Sequence, residues 1–217
     1  TTFTFTVTIT GDNDQGYAND YATSDGTATT ADNDYVATNG TLNFAGNDGE
    51  TQTFAVTVNG DVTVELDDVF NVTLCSLQPA GSGGTNVSIA DGSATGTITN
   101  DDSAQISIAD AMVVEGNAGT TTLVFDVSLS TSSTTPVTVN YSTSDGTATT
   151  ADSDYDNATG TVTFGPNVTM QTISVTVNGD FKLEADETMM VTLASPVGAT
   201  IDDGTAMGTI TNDDIVG

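Results

Sequence analysis

Phe3, Phe5, Val7 and Ile9 alternate with Thr4, Thr6 and Thr8, a period of two that puts the apolar side chains on one face of a strand. The same alternation runs through Leu123, Phe125, Val127 and Leu129. It recurs in Thr51–Val58 and Gln171–Val177, in Val69–Cys75 and Thr188–Leu193, and in Ala94–Thr99 and Ala206–Thr211. Between these runs lie Asp-Gly, Asn-Gly and Gly-Gly pairs, residues that tolerate the positive φ of tight turns. No segment carries a helical period. Short strands rich in Thr and Val, separated by turns, predict an all-β sandwich fold.

The runs pair because the chain is two copies of one unit. YATSDGTATTADNDY at Tyr21–Tyr35 returns as YSTSDGTATTADSDY at Tyr141–Tyr155. VNGDVTVELDD at Val58–Asp68 returns as VNGDFKLEADE at Val177–Glu187, and DGSATGTITNDD at Asp91–Asp102 as DGTAMGTITNDD at Asp203–Asp214. Three blocks recurring in one order indicate a tandem repeat, with expected domains at 1–102 and 103–217, each near the usual size of a sandwich. The Gly/Ser-rich Ser76–Ser88 is expected to be a longer surface loop in copy one. Thr1 aligns with Thr121, so the opening Ile106–Gly119 of copy two has no counterpart, and copy one is expected to lack an edge strand or to borrow one. The start at Thr1-Thr2-Phe3, without an initiator Met or leader, reads as a piece of a longer protein. Only Ser103-Ala104 separates Asp102 from the strand-like Gln105–Ile108, a link expected to restrict domain orientation.

Charge changes this picture most. One Lys, no Arg and 30 acidic residues give a net charge of −29, which repels nucleic-acid phosphates and anionic membrane surfaces. Cations are the natural partners. With no His and a single Cys75, zinc or copper sites built on imidazole or thiolate are excluded, as is a disulfide within the chain. No run of 18 apolar residues is present, so no membrane-spanning helix is expected.

The acids gather at recurring places. Asp25 and Asp145 follow one strand; Asp61, Glu65, Asp67 and Asp68, with Asp180, Glu184, Asp186 and Glu187, form a run between two strands. Asp101 and Asp102, with Asp213 and Asp214, follow the last strand, and Glu115 adds a fourth source in copy two. If these turns converge at one end of a sandwich, two carboxylates about 4 Å apart repel by about 4 kcal/mol at an effective dielectric near 20. Lys182 alone cannot balance six or seven of them. Ca²⁺ can, because it takes 6–8 hard oxygen ligands in flexible geometry, whereas Mg²⁺ keeps a stricter octahedron with several waters. Asp34 and Asp154 read as loop hydrogen-bond formers and Asp67 and Asp186 as solvent-facing neighbours of the ligands.

SDGTATTADSDY, the strand GTVTF at Gly160–Phe164, the run NGDFKLEADE and the closing GTITNDD, with their equivalents in copy one, together resemble the Calx-beta domain family over essentially the whole chain. The resemblance implies two tandem immunoglobulin-like antiparallel β-sandwiches with Ca²⁺ held in loops at one end. It carries the ligands onto Glu115, Asp145, Asp180, Glu184, Glu187, Asp213 and Asp214 in copy two, and onto Asp25, Asp61, Glu65, Asp68, Asp101 and Asp102 in copy one. Copy one lacks an equivalent of Glu115 and has Asp68 where copy two has Glu187, so its site is expected to be incomplete or weaker.

Paired carboxylates also serve glycosidases. Acids in Gly-rich loops, with no Trp and no His, offer neither an apolar cleft to raise one pKa nor a platform for sugar, so no enzymatic activity is expected. Two roles fit the sequence. One is a structural or adhesion module of an extracellular or cell-surface repeat protein, in which Ca²⁺ stiffens the junction to neighbouring repeats of the chain and the array meets a protein or glycan. The other is a Ca²⁺ sensor controlling an attached domain or transporter.

Overall fold

A computed structural model describes residues 1–11, 16–79 and 87–215. Fifteen strands and the turns between them account for its regular structure, with no helix among the described residues. In chain order they are β1 Thr2–Thr8, β2 Tyr17–Asp25, β3 Asn39–Phe44, β4 Thr51–Thr57, β5 Asp68–Pro79, β6 Ser93–Ile98, β7 Gln105–Ile108 and β8 Ala111–Val114. There follow β9 Gly119–Leu129, β10 Val137–Asp145, β11 Thr159–Phe164, β12 Met170–Gly179, β13 Glu187–Val197, β14 Thr200–Asp203 and β15 Thr205–Thr211.

The chain divides into two compact units, Thr1–Asp61 with Leu66–Asn100, and Val62–Glu65 with Asp101–Gly217. The second unit therefore takes in four residues from the acidic run of copy one. There the Val64 N–H donates to Ser132 O and the Thr134 N–H to Val64 O, both at 3.0 Å.

Unit 2 is an immunoglobulin-like sandwich of sheets ordered β11-β10-β13-β15-β8 and β12-β9-β7-β14. Pairing is antiparallel except for two pairs, β14 with β7 and β15 with β8, which run parallel. Alternation built this: Leu123, Phe125 and Val127 of β9 and Ile173, Val175 and Val177 of β12 all point into one core and are at most 2% exposed. Val139, Phe164, Met189 and Val191 meet them from the other sheet, each fully buried.

Unit 1 repeats the plan with sheets β3-β2-β5-β6 and β1-β4. Its core joins Phe54, Val56, Phe70, Val72 and Tyr35, with Phe70 stacked on Tyr35 at a ring separation of 4.8 Å. The copies agree in local detail. Asn33 and Ser153 share φ 68°, and Ser76 and Ser195 share φ 52°, left-handed positions that non-glycine residues adopt only where the surroundings enforce them. Strand β5 runs on to Pro79, past the expected end at Cys75, through a register shift against β2. The central part of the loop expected at Ser76–Ser88 lies outside the described residues.

Turn chemistry differs from the expectation at one place that matters. Gly26 and Gly146, of the repeated Asp-Gly pairs, do not have positive φ. Glycine is needed there for space: a Cβ would stand 2.3 Å from Val69 O at Gly26 and 2.4 Å from Thr188 O at Gly146. The close approach clamps the segment after β2 or β10 onto the start of the neighbouring strand, and so fixes the aspartate before it.

Candidate metal centre

Asp145 closes β10, where its Oδ1 accepts hydrogen bonds from the Tyr155 hydroxyl at 2.6 Å and the Thr150 N–H at 3.1 Å. These donors, the tyrosine first, hold its carboxyl below the usual range. Asp25 makes the corresponding hydrogen bonds in copy one, accepting from the Tyr35 hydroxyl at 2.7 Å and the Thr30 N–H at 3.1 Å. Burial and the neighbouring carboxylate push Tyr35 up to about 12, so the phenol stays a donor at any ordinary pH. Both aspartates thus staple the loop to the core through a buried tyrosine.

The other acids of copy two form a denser group. Glu115 follows β8 and is 7% exposed; Asp214 follows β15 and is 8% exposed. The Glu115 N–H donates to Thr211 O at 3.2 Å, and the Gly116 N–H donates to Asp213 Oδ1 at 3.1 Å, so the parallel β8–β15 pairing brings these turns together. Asn117 donates to Asp214 Oδ1 at 2.5 Å. Burial pushes Glu115 up to about 7, with further repulsion from Asp180, Glu184, Asp214 and Asp213.

Glu184 links this group to a second one. One carboxylate oxygen from each of Asp154, Glu184 and Glu187 lies within 4.8 Å of the others. Burial, with the charge of Asp154 and a hydrogen bond to it, pushes Glu187 up to about 7. Lys182 pairs with Glu184, and that pairing raises its own pKa; the ammonium is the chain's one side-chain cation. Asn212 ties the run to the last turn, its side-chain amide donating to Glu184 O at 3.1 Å and its Oδ1 accepting from the Asp214 N–H at 3.3 Å. Asp186 accepts from the Asn212 N–H at 3.2 Å, as Asp67 accepts from the Asn100 N–H at 3.1 Å, so both are turn braces.

Seven carboxylates therefore interact around one end of unit 2: Glu115, Asp154, Asp180, Glu184, Glu187, Asp213 and Asp214. Six were expected from the sequence. Asp154 is the addition. It does form the expected loop hydrogen bond, accepting from the Thr149 N–H at 2.7 Å, but it also contacts Glu187. Its presence in the repeated block, one residue before the buried Tyr155, was the available signal. Asp145, also expected, takes its hydrogen bonds from Tyr155 and Thr150.

Two buried oxygens, Glu115 Oε1 and Asp214 Oδ2, have no hydrogen-bond partner. An unsatisfied buried acceptor costs about 1–3 kcal/mol, more when charged. Oxygen-only donors, several of them anionic, suit a hard divalent cation needing many ligands, and the orphaned pair gives it two positions to fill. The residues present fit Ca²⁺.

Of the six acids expected in copy one, Asp25, Asp61 and Asp68 fall in unit 1, and Glu65, Asp101 and Asp102 in unit 2. Asp68 opens β5, opposite Ile98.

Gly179 controls how the Glu115 turn seats. A Cβ there would lie 2.1 Å from Gly116 O and 2.9 Å from Glu115 O, both backbone atoms that cannot swing aside. Gly179→Ala is expected to push the Glu115 turn away from Asp180 and weaken cation binding at least tenfold while leaving the β-rich circular dichroism spectrum intact. Titration calorimetry of the variant checks this; unchanged affinity would show that Glu115 contributes nothing to the site.

The sequence profile of the Calx-beta domain family matches residues 1–103 and again 99–214. Among solved structures, an apo-form Calx CBD1 domain is 25% identical, covering 52% of this chain and 100% of its own, with a TM-score of 0.46. CBD12 from CALX1.2 is 22% identical over 96% of this chain and 93% of its own, with a TM-score of 0.42. The calcium binding domain CBD12 of CALX1.1 is 23% identical over 96% and 92%, with a TM-score of 0.42. No curated protein matches. The two successive profile matches together span nearly every residue, and the chain belongs to the Calx-beta domain family as a tandem pair.

Proposed function

We propose that this chain is a Ca²⁺-binding module whose principal site is the carboxylate cluster of unit 2. The observation that carries this reading is the pair of buried, unpartnered oxygens on Glu115 and Asp214 within a group of acids facing a single lysine. Glu115, Asp180, Glu184, Glu187, Asp213 and Asp214 supply the ligands, with Asp154 closing the set and Asp145 anchoring the loop beside it. Copy one, which has no counterpart of Glu115, is the weaker binder. The cation count exceeds one, since seven carboxylates carry more charge than one divalent ion neutralises.

The role we assign is structural: Ca²⁺ stiffens a repeat array outside the cell or on its surface, and the array engages neighbouring repeats and a protein or glycan. The acidic, Thr- and Gly-rich composition and the tandem repetition support it. Affinity decides the matter, because extracellular Ca²⁺ modules bind at roughly 10⁻⁴ to 10⁻³ M and sensors at roughly 10⁻⁷ to 10⁻⁵ M. Calorimetric titration is expected to fall in the weaker window; the tighter window would instead assign a sensor attached to another domain. Asp213→Ala combined with Asp214→Ala is expected to remove the ions of unit 2 and spare those of copy one. Unchanged stoichiometry in the double variant would refute the assignment.

A further inference from the structure

Lys182 carries the chain's one side-chain cation and stands within the acidic run of unit 2, between Asp180 and Glu184. Its backbone N–H donates to Asp180 Oδ1 at 2.6 Å, a local turn closed by an aspartate side chain. That turn fixes where the lysine leaves the backbone, and its ammonium pairs with Glu184 Oε1. The partners differ in exposure, 65% for the Lys182 side chain against 14% for that of Glu184. The lysine thus reaches in from solvent to a carboxylate that is itself mostly covered. An ion pair with one exposed partner adds little to the stability of a fold, so its consequence lies in the charge of the site.

Glu184 is the carboxylate that the two acidic groups share. Its charge acts on Glu115 together with those of Asp180, Asp213 and Asp214, and one of its oxygens lies within 4.8 Å of oxygens on Asp154 and Glu187. The charges of Asp152 and Asp154 also bear on the ammonium. Copy one has Thr63 at the corresponding position, and no cation in its acidic run.

We propose that Lys182 is a tethered counter-cation, which holds Glu184 in the cation-free protein and must release it before Ca²⁺ can use that carboxylate, so that it sets the Ca²⁺ threshold of unit 2. This rests on the reading of the cluster as a Ca²⁺ site. The ammonium offers one charge and three donors, and it leaves Glu115 Oε1 and Asp214 Oδ2 without a partner. Ca²⁺ brings two charges and takes 6–8 oxygens. The lysine therefore covers part of the deficit, and a divalent ion displaces it once its concentration is high enough.

Calorimetric titration with Ca²⁺ compares the wild type with Lys182→Gln, in the binding step that Asp213→Ala combined with Asp214→Ala removes. The variant is expected to bind at least fivefold more tightly. Loss of a nearby positive charge would also tighten binding without any displacement, so a second measurement follows the lysine itself. Acetic anhydride finds a single side-chain amine in this chain, and its acetylation is read from the mass of the peptide that contains it. At constant ionic strength, Ca²⁺ is expected to speed acetylation of Lys182 at least threefold, because the amine is freed from Glu184. Acetylation indifferent to Ca²⁺, or equal affinity of the two proteins, would overturn the proposal and leave the Ca²⁺ site standing. Absence of Ca²⁺ binding to unit 2 in both proteins would refute the site and the proposal together.

Discussion

Stripped of divalent cations, unit 2 is expected to lose stability as pH rises from 5 to 8, and Ca²⁺ is expected to abolish that loss. Glu115 and Glu187 are each pushed from an ordinary 4.5 to about 7 in the folded protein. A carboxyl raised on folding is protonated in the native state and ionised in the unfolded one between those two values. The native state then binds more protons, so stability falls with rising pH across the window from 4.5 to about 7. Below 4.5 both states are protonated and these two groups no longer matter. Asp145, held low by Tyr155, acts in the opposite sense: its contribution is present above the ordinary aspartate value and lost in acid.

Ca²⁺ binds the ionised carboxylates and displaces their protons, so its effect is largest at pH 8. An ion at about 100 times its dissociation constant adds about 2.7 kcal/mol, roughly 10 °C in Tm for a domain of this size. Calorimetric scans at pH 5 and pH 8, each with chelator and with excess Ca²⁺, measure both slopes. A melt indifferent to chelator at pH 8 would remove the case for a metal centre.

Phe125→Ala is expected to cost about 3–5 kcal/mol, the usual range for emptying a fully buried aromatic site. Phe125 is completely buried, and β7 lies beside its strand in the same sheet. Its equivalent Phe5 keeps good neighbours, stacked on Phe54 at a ring separation of 5.3 Å and edge-on to Phe70 at 5.9 Å, yet remains partly exposed. Phe5→Ala is therefore expected to cost about half as much, since less apolar area returns to water. Urea unfolding of the two variants compares them directly; equal losses would mean that β7 adds nothing to the burial of Phe125.

Strand pattern and repetition were readable from the residues because both leave a local trace. Alternation at Phe3–Ile9 and Leu123–Leu129 marks a buried face wherever the chain goes. The parallel pairings of β7 with β14 and of β8 with β15 had no such trace. They join segments far apart in the chain, and a short strand reads alike in either direction. The site was legible in kind and less so in membership. Repeated acids at Asp180, Glu184, Glu187, Asp213 and Asp214 pointed to a cation, but Asp154 and Asp145 differ only in where each carboxylate turns. Asp145 goes to the Tyr155 hydroxyl and Asp154 toward Glu187, a distinction made by the clamp at Gly146 and the left-handed turn at Ser153 rather than by residue type. The division of the acidic run at Val62–Glu65 was likewise invisible, since it depends on backbone hydrogen bonds to Ser132 and Thr134.

The solitary lysine has a practical corollary. A protease that cuts after basic residues finds one peptide bond to attack, Lys182–Leu183, and the Lys182 side chain is 65% exposed. Hydrolysis there would part Asp180 and Glu115 from Glu184, Glu187, Asp213 and Asp214, dividing the ligand set between fragments 1–182 and 183–217. Resistance of residues 1–217 to trypsin thus rests on how tightly a single scissile loop is held, and if Ca²⁺ binds there, limited digestion with and without Ca²⁺ is expected to differ at that one cleavage.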